Sequence, residues 1–136
     1  MRKILKIGLA VKDGDRFLLV KKRGAHLFIL PGGKPEAGEE DLETLRREIW
    51  EELGCSLDAN SVAFLGSFTD VAAETTEATV TVRLYAADLV GQPSPRSEIE
   101  MLKWVGHQED ESILAPSLRN KILPFLFSRV SASISP

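Results

Sequence analysis

The stretch that most restricts how this chain can fold is residues 32–55, GGKPEAGEEDLETLRREIWEELGC. It reads as a glycine turn feeding an amphipathic helix over 41–53. At about 100° per residue, Leu42, Leu45, Ile49 and Leu53 fall in one narrow arc that must face a core. Glu48, Glu51 and Glu52 stand at i, i+3 and i+4 and share an adjacent face. Gly54 follows in the place of a left-handed C-cap. Like charges at these spacings cost a few tenths of a kcal/mol for each close pair. Only Arg46 and Arg47 lie nearby to offset that. A solvated acidic surface is one reading of such a face; a cluster of oxygens for a hard divalent cation is the other.

Composition limits the setting. The chain has 136 residues, 43% hydrophobic and 27% charged, enough for one domain with a real core. A net charge of −3 with no long run of one sign leaves no broad basic surface, which disfavours a nucleic-acid partner. A single cysteine rules out an internal disulfide framework and fits a reducing cytoplasm. The apolar start of the chain is interrupted by Lys6, Lys12 and Asp13. It is too short for a membrane span and carries no small-residue cleavage site, so it is read as a strand with no membrane association.

Strands are predicted over 4–12 and 16–22, joined at Asp13-Gly14-Asp15 by a hairpin turn. A short apolar run over 27–30 ends at Pro31, ahead of Gly32 and Gly33. After the helix, strands are predicted over 62–68, 78–89 and 99–105, the second showing strict alternation of Val80, Val82 and Leu84 with Thr81, Arg83 and Tyr85. Pro116 suits the first turn of a closing helix through about Ser128, with a kink or early stop at Pro124. Residues 1–128 then form one domain and 129–136 a frayed tail. Strands on both sides of a central helix, with a second helix closing the chain, predict an α/β fold whose mixed sheet lies between helical layers.

From Gly33 the spacing is five residues, Glu39, seven more, then Arg47-Glu48-Ile49-Trp50-Glu51-Glu52-Leu53-Gly54-Cys55. This resembles the signature of the Nudix hydrolases, G-x5-E-x7-R-E-U-x-E-E-x-G-U, where U is a bulky aliphatic residue. Every fixed position matches, a coincidence with a probability on the order of 10⁻⁸ per starting point at ordinary residue usage. Cys55 replaces the last aliphatic residue and behaves as a small hydrophobe when buried.

The resemblance implies the family's α/β/α sandwich and hydrolysis of a nucleoside diphosphate linked to another moiety, with Mg²⁺ or Mn²⁺ as cofactor. It implies Glu48, Glu51 and Glu52 as metal ligands, joined by the Gly32 carbonyl, with Glu39 as outer ligand or brace and Arg47 orienting a glutamate. For a nucleoside triphosphate the products would be a monophosphate and pyrophosphate. Relatives often supply a further carboxylate as ligand or general base. Glu98 is the first candidate, with Glu100, Glu74 and Glu77 as rivals. Arg23 is the candidate phosphate clamp among Lys21, Lys22 and Arg23, with His26 a weaker one. Gly33, Lys34 and Asn120 complete the substrate-binding candidates, Asn120 with Arg119 in a stretch, 114–120, expected to line a base pocket. Phe28, Phe68, Trp104 and Phe125 are read as core first and stacking platforms second. ADP-ribose or dinucleoside polyphosphate hydrolysis, RNA 5′-end processing and a catalytically inactive nucleotide sensor are the alternatives. The resemblance also admits a homodimer.

Overall fold

The computed structural model describes residues 1–73 and 75–134, the last four by their backbone alone. Along the chain the strands and helices are β1 (Arg2–Ala10), β2 (Lys12–Asp13), β3 (Arg16–Lys22), β4 (Gly32–Gly33), α1 (Asp41–Leu53), β5 (Ser56–Leu57), β6 (Ala63–Val71), β7 (Ala78–Ala86), β8 (Leu89–Val90), β9 (Ile99–Val105) and α2 (Leu123–Ile134).

One sheet has the order β4-β1-β7-β6, with β1 and β7 parallel and the other pairs antiparallel. A second, antiparallel sheet has the order β2-β3-β9, and β5 pairs with β8. The chain changes sheets at Val11, whose carbonyl accepts from the Leu18 N–H at 3.0 Å. Alternation along each strand sends side chains to two separate cores. Ile7 and Leu9 of β1 join Leu18 and Val20 of β3 beneath Leu45, Ile49 and Leu53 of α1. Val80, Val82 and Leu84 of β7 join Phe17 and Leu19 of β3 beneath Leu118, Ile122 and Leu126. Helices on both faces of a mixed sheet make the expected sandwich. Leu5, which alternation places on the same side of β1 as Ile7 and Leu9, is exposed.

Helix α1 begins and ends where its pattern predicts. The Glu43 carboxylate accepts from the Glu40 N–H at 3.0 Å, and Gly54 closes the helix at φ 69°, ψ 24°. Its last carbonyls are answered from far along the chain: Arg96 N–H reaches the Glu52 carbonyl at 3.0 Å and Ser94 N–H the Leu53 carbonyl at 3.1 Å. The Arg96 guanidinium lies over Gly54 and 5.9 Å from the Trp50 ring centroid, so a cation sits at the negative end of the helix.

The closing helix differs from its expectation. Pro116 does open a helical turn, with Arg119 N–H donating to the Ala115 carbonyl at 2.9 Å. Residues Leu118–Ile122 then form a π turn, and α2 continues to Ile134. Pro124 has no N–H for a bond to the preceding turn, and the widened turn just before it absorbs that loss without ending the helix. The boundary expected near Ser128 therefore falls inside α2; the final two residues of the expected tail lie outside the described residues. Among the described residues no helix is long and apolar enough to cross a membrane.

Candidate active site

The glycine turn and α1 meet at a buried carboxylate. Glu52 is 1% exposed, and its Oε1 accepts from the Gly32 N–H at 3.0 Å. Its Oε2 is buried with no hydrogen-bond partner. Burial pushes the carboxyl up to about 8, against the pull of the Gly32 N–H, and the neighbouring Glu48 charge adds to the rise. An oxygen lone pair left open in this way suits a cation or a proton. Gly32 holds φ 133°, and a Cβ there would lie 2.0 Å from the Ile7 carbonyl oxygen, so no other residue lets the turn come this close to β1. At Gly33 a Cβ would lie 2.5 Å from the Glu48 carboxyl carbon. The missing side chain is the space that Glu48 occupies.

Glu48 is half-buried, and burial raises its pKa while the Arg47 guanidinium works against the rise. Arg47 is the hub of the surrounding network. Its Nε and Nη2 grip Glu39 at 2.7 and 2.9 Å, its Nη1 donates to Glu48 at 2.7 Å, and its Nη2 also reaches the Lys34 carbonyl at 3.1 Å. Glu39 further accepts from the Glu36 N–H and the Thr44 hydroxyl, and with Arg47 these hold its carboxyl down to about 2. Both Glu39 carboxylate oxygens are thus engaged by Arg47, Oε1 also by Thr44 and the Glu36 N–H. Glu51, 52% exposed, points outward, 3.7 Å from Arg47 Nη1.

The implied ligands are thus arranged as a deep pair and an outer member. Among the described residues no three His, Cys, Asp or Glu side chains stand close enough together to hold a cation. Glu48 and Glu52 still present oxygen-only donors, one with an orphaned buried atom, beside the Gly32-Gly33 backbone. That donor set fits a hard divalent ion.

Of this pair Glu48 lines a cavity of about 410 Å³, whose lining also includes Gly32, Gly33, Lys34, Lys22 and Glu98. Glu98 therefore reaches the cleft, where its carboxylate lies 3.4 Å from Lys22 Nζ. Its rivals do not. Glu100 is drawn away by Lys21 at 2.6 Å, which lowers its pKa; Glu77 is exposed on the loop before β7; Glu74 lies outside the described residues.

Two substrate candidates lie outside the cavity lining. Arg23 does not line the cleft: its guanidinium donates to the Ser97 carbonyl at 3.2 Å and its N–H to the Glu98 carbonyl at 2.8 Å. Ser97 holds φ 55°, so Arg23 secures a strained turn that aims Glu98. The strand bulges between Lys21 and Lys22, and it is Lys22 that faces the cavity. A bulge of this kind leaves no mark in composition. Asn120 likewise turns away, donating to Asp70 at 2.9 Å. From the 114–120 stretch it is Ala115, Ser117 and Leu118 that line the cleft. Sequence reading also missed Lys6, which lines the cavity from β1; it had registered only as an interruption of an apolar run.

The aromatic candidates belong to the core. Phe28 is buried, Phe68 meets Phe125 with ring centroids 5.2 Å apart, and Trp104 packs against the α1 side. His26 is exposed and Cys55 is buried.

Comparison with known proteins agrees with the spacing. The family model described as the NUDIX domain matches residues 3–125. The fold is similar to that of the E. coli ORF135 protein in solution (TM-score 0.73, 23% identity, 99% of this chain and 96% of that one). It is similar also to a MutT NUDIX hydrolase from Burkholderia pseudomallei (TM-score 0.71, 22% identity, 96% and 99%) and to a UDP-X diphosphatase (TM-score 0.71, 21% identity, 99% and 66%). No curated protein matches the chain significantly in sequence. With the family model spanning nearly its whole length, this chain belongs to the Nudix hydrolase family.

Proposed function

We propose that the chain is a divalent-metal-dependent hydrolase of nucleoside-diphosphate-linked compounds, and that (deoxy)nucleoside triphosphates, cut to a monophosphate and pyrophosphate, are its preferred substrates. The observation that carries this reading is the buried, half-satisfied Glu52 carboxylate beside Glu48, which lines the cavity. A cation bound there would polarise phosphoryl oxygens and make water a better nucleophile, and Mg²⁺ suits oxygen donors that leave room for phosphate. Glu48, Glu52 and the exposed Glu51 are the candidate ligands, with the Gly32 carbonyl beside them.

The chain's own contribution is positioning and electrostatics, which dominate phosphoryl transfer. Lys22 and Lys34 bring positive charge to a polyphosphate in the cleft. Arg47 and Glu39 hold Glu48 in place. Glu98, paired with Lys22 in the cavity lining, would accept a proton from water. A cavity near 410 Å³ is the size of a single small ligand, which supports a mononucleotide over a dinucleoside polyphosphate.

The test is turnover of a panel of nucleoside triphosphates, ADP-ribose, UDP-sugars and dinucleoside polyphosphates with Mg²⁺, with product identification. Pyrophosphate release from triphosphates at the highest kcat/KM is expected. Preference for a diphosphate-linked sugar would replace the triphosphate reading, and no turnover of any member would overturn the hydrolase reading of the site.

A further inference from the structure

The closing helix runs continuously from Pro116 to Ile134, and its start lines the cleft through Ala115, Ser117 and Leu118. That start is uncapped. Ala115 stands where a capping side chain would, and Pro116 has no N–H. The Ser117 and Leu118 N–H groups have no acceptor among the described residues. Ser117 is 7% exposed, and its hydroxyl makes no capping bond. Among the described residues Glu52 Oε2 is the one sealed side-chain oxygen or nitrogen without a partner. The Ser117 hydroxyl, likewise unpartnered, therefore keeps an open side, and the space before it is the cavity.

Arg2, Ile4 and Lys6 line the same cavity at alternate positions of β1. Lys6 already takes part in an interaction of its own. Arg2 has no hydrogen-bond or ion-pair partner among the described residues, and it lies five residues from Ile7, the neighbour of Gly33. At about 3.3 Å per residue its Cα is about 17 Å from that pair, too far to serve a phosphate held at the glycine turn. The acids of the lining are occupied, Glu48 by Arg47 at 2.7 Å and Glu98 by Lys22 at 3.4 Å. The donors of the helix start and the Arg2 guanidinium thus have no counterpart among the described residues. Open N–H groups at the positive end of a helix, with an open hydroxyl beside them, favour oxygens that accept only and carry negative charge.

We propose that the Ser117 hydroxyl and the open N–H groups of the closing helix form a second anion subsite in the cleft, with Arg2 adding positive charge. It takes a carboxylate or phosphate carried by a nucleotide ligand away from the phosphates at the glycine turn. This goes beyond triphosphates, whose charge all lies in one chain, and it rests on the nucleotide reading of the cleft.

Matched ligand pairs titrated into the intact, metal-free chain test the inference without requiring turnover. UDP-glucuronate differs from UDP-glucose by a carboxylate, and adenosine 3′,5′-bisphosphate from AMP by a phosphate. The more acidic member should bind roughly 10–100-fold more tightly, the range of a charge-assisted hydrogen bond or two. An advantage in one pair alone would name the group that the subsite takes. Ser117→Ala should cut the ratio at least about threefold, and Ser117→Thr, which keeps the hydroxyl, should preserve it. Arg2→Gln should cut it as well. The inference is overturned if neither pair shows a ratio above about threefold, or if the ratio survives Ser117→Ala. A ratio that falls with Arg2→Gln alone would place the anion on the strand and overturn the helix subsite. Failure of the hydrolase reading shows separately, as absence of turnover in the wild-type chain with acid-selective binding intact.

Discussion

The Gly32 N–H donates to the Glu52 carboxylate at 3.0 Å, so the turn and the helix are joined by a bond that uses only half of a buried acid. Burial makes the charged form costly, and the second oxygen stays open for whatever offsets that cost.

The first consequence is a pH dependence of stability. The Glu52 carboxyl lies near 8 in the fold against 4.5 for an ordinary glutamate. Between those values the folded chain keeps a proton that the unfolded chain has released. This group's contribution is therefore full below about pH 4.5 and is lost as pH rises toward 8, by on the order of 3–5 kcal/mol. Glu52→Gln should remove that dependence. In metal-free melts the wild type should lose on the order of 5–15 °C relative to Glu52→Gln between pH 5 and 8.5. A constant difference across that range would refute it. The same variant should lose at least about a hundredfold in kcat, since an amide cannot match the charge of the acid.

Arg47→Lys should separate positioning from charge. A lysine keeps the positive charge but cannot span Glu39, Glu48 and the Lys34 carbonyl at once. A loss of about 10–100-fold in kcat with KM changed less than threefold is expected from steady-state kinetics. Unchanged kcat would mean that the fork does not hold Glu48 for the reaction.

Adjacent glycines should fail in different ways. Gly32→Ala drives a Cβ into the Ile7 backbone and should cost more than about 3 kcal/mol by denaturant titration. Gly33→Ala first meets the Glu48 carboxylate, the end of a side chain that can swing aside, so the chain should fold and lose activity. Gly38→Ala, at φ 81° with open space around it, should cost about 1–2 kcal/mol and little activity. Equal stability losses at all three would contradict these contacts.

Lys22 and Arg23 should exchange the roles that their order suggests. Lys22→Ala is expected to raise KM for a triphosphate roughly tenfold, as removal of one phosphate contact would. Arg23→Ala should lower kcat through a loosened Ser97 turn and leave KM within about threefold. The reverse pattern would return Arg23 to the cleft.

What could be read in advance followed from local rules. The helix over 41–53 was legible because Leu45, Ile49 and Leu53 repeat at helical spacing and Gly54 stops them. Strands 16–22 and 99–105 were legible because each is a short apolar run between breakers. Contacts between distant segments carry no local sign. Nothing near Arg23 tells that its guanidinium meets Ser97, or that a bulge sends Lys22 inward. Asn120 looked available until the π turn rotated it toward Asp70. Lys6 looked like a fault in a strand until β7 and the closing helix enclosed it.

The Glu52 and Leu53 carbonyls bond to amides of Arg96 and Ser94, in the segment that leads to Glu98. Deuterium uptake at those two amides therefore reports on the end of a helix to which neither belongs. Loosening of that segment and unwinding of the helix end become one event, and a nucleotide that quiets the cleft should slow isotope exchange at both places together.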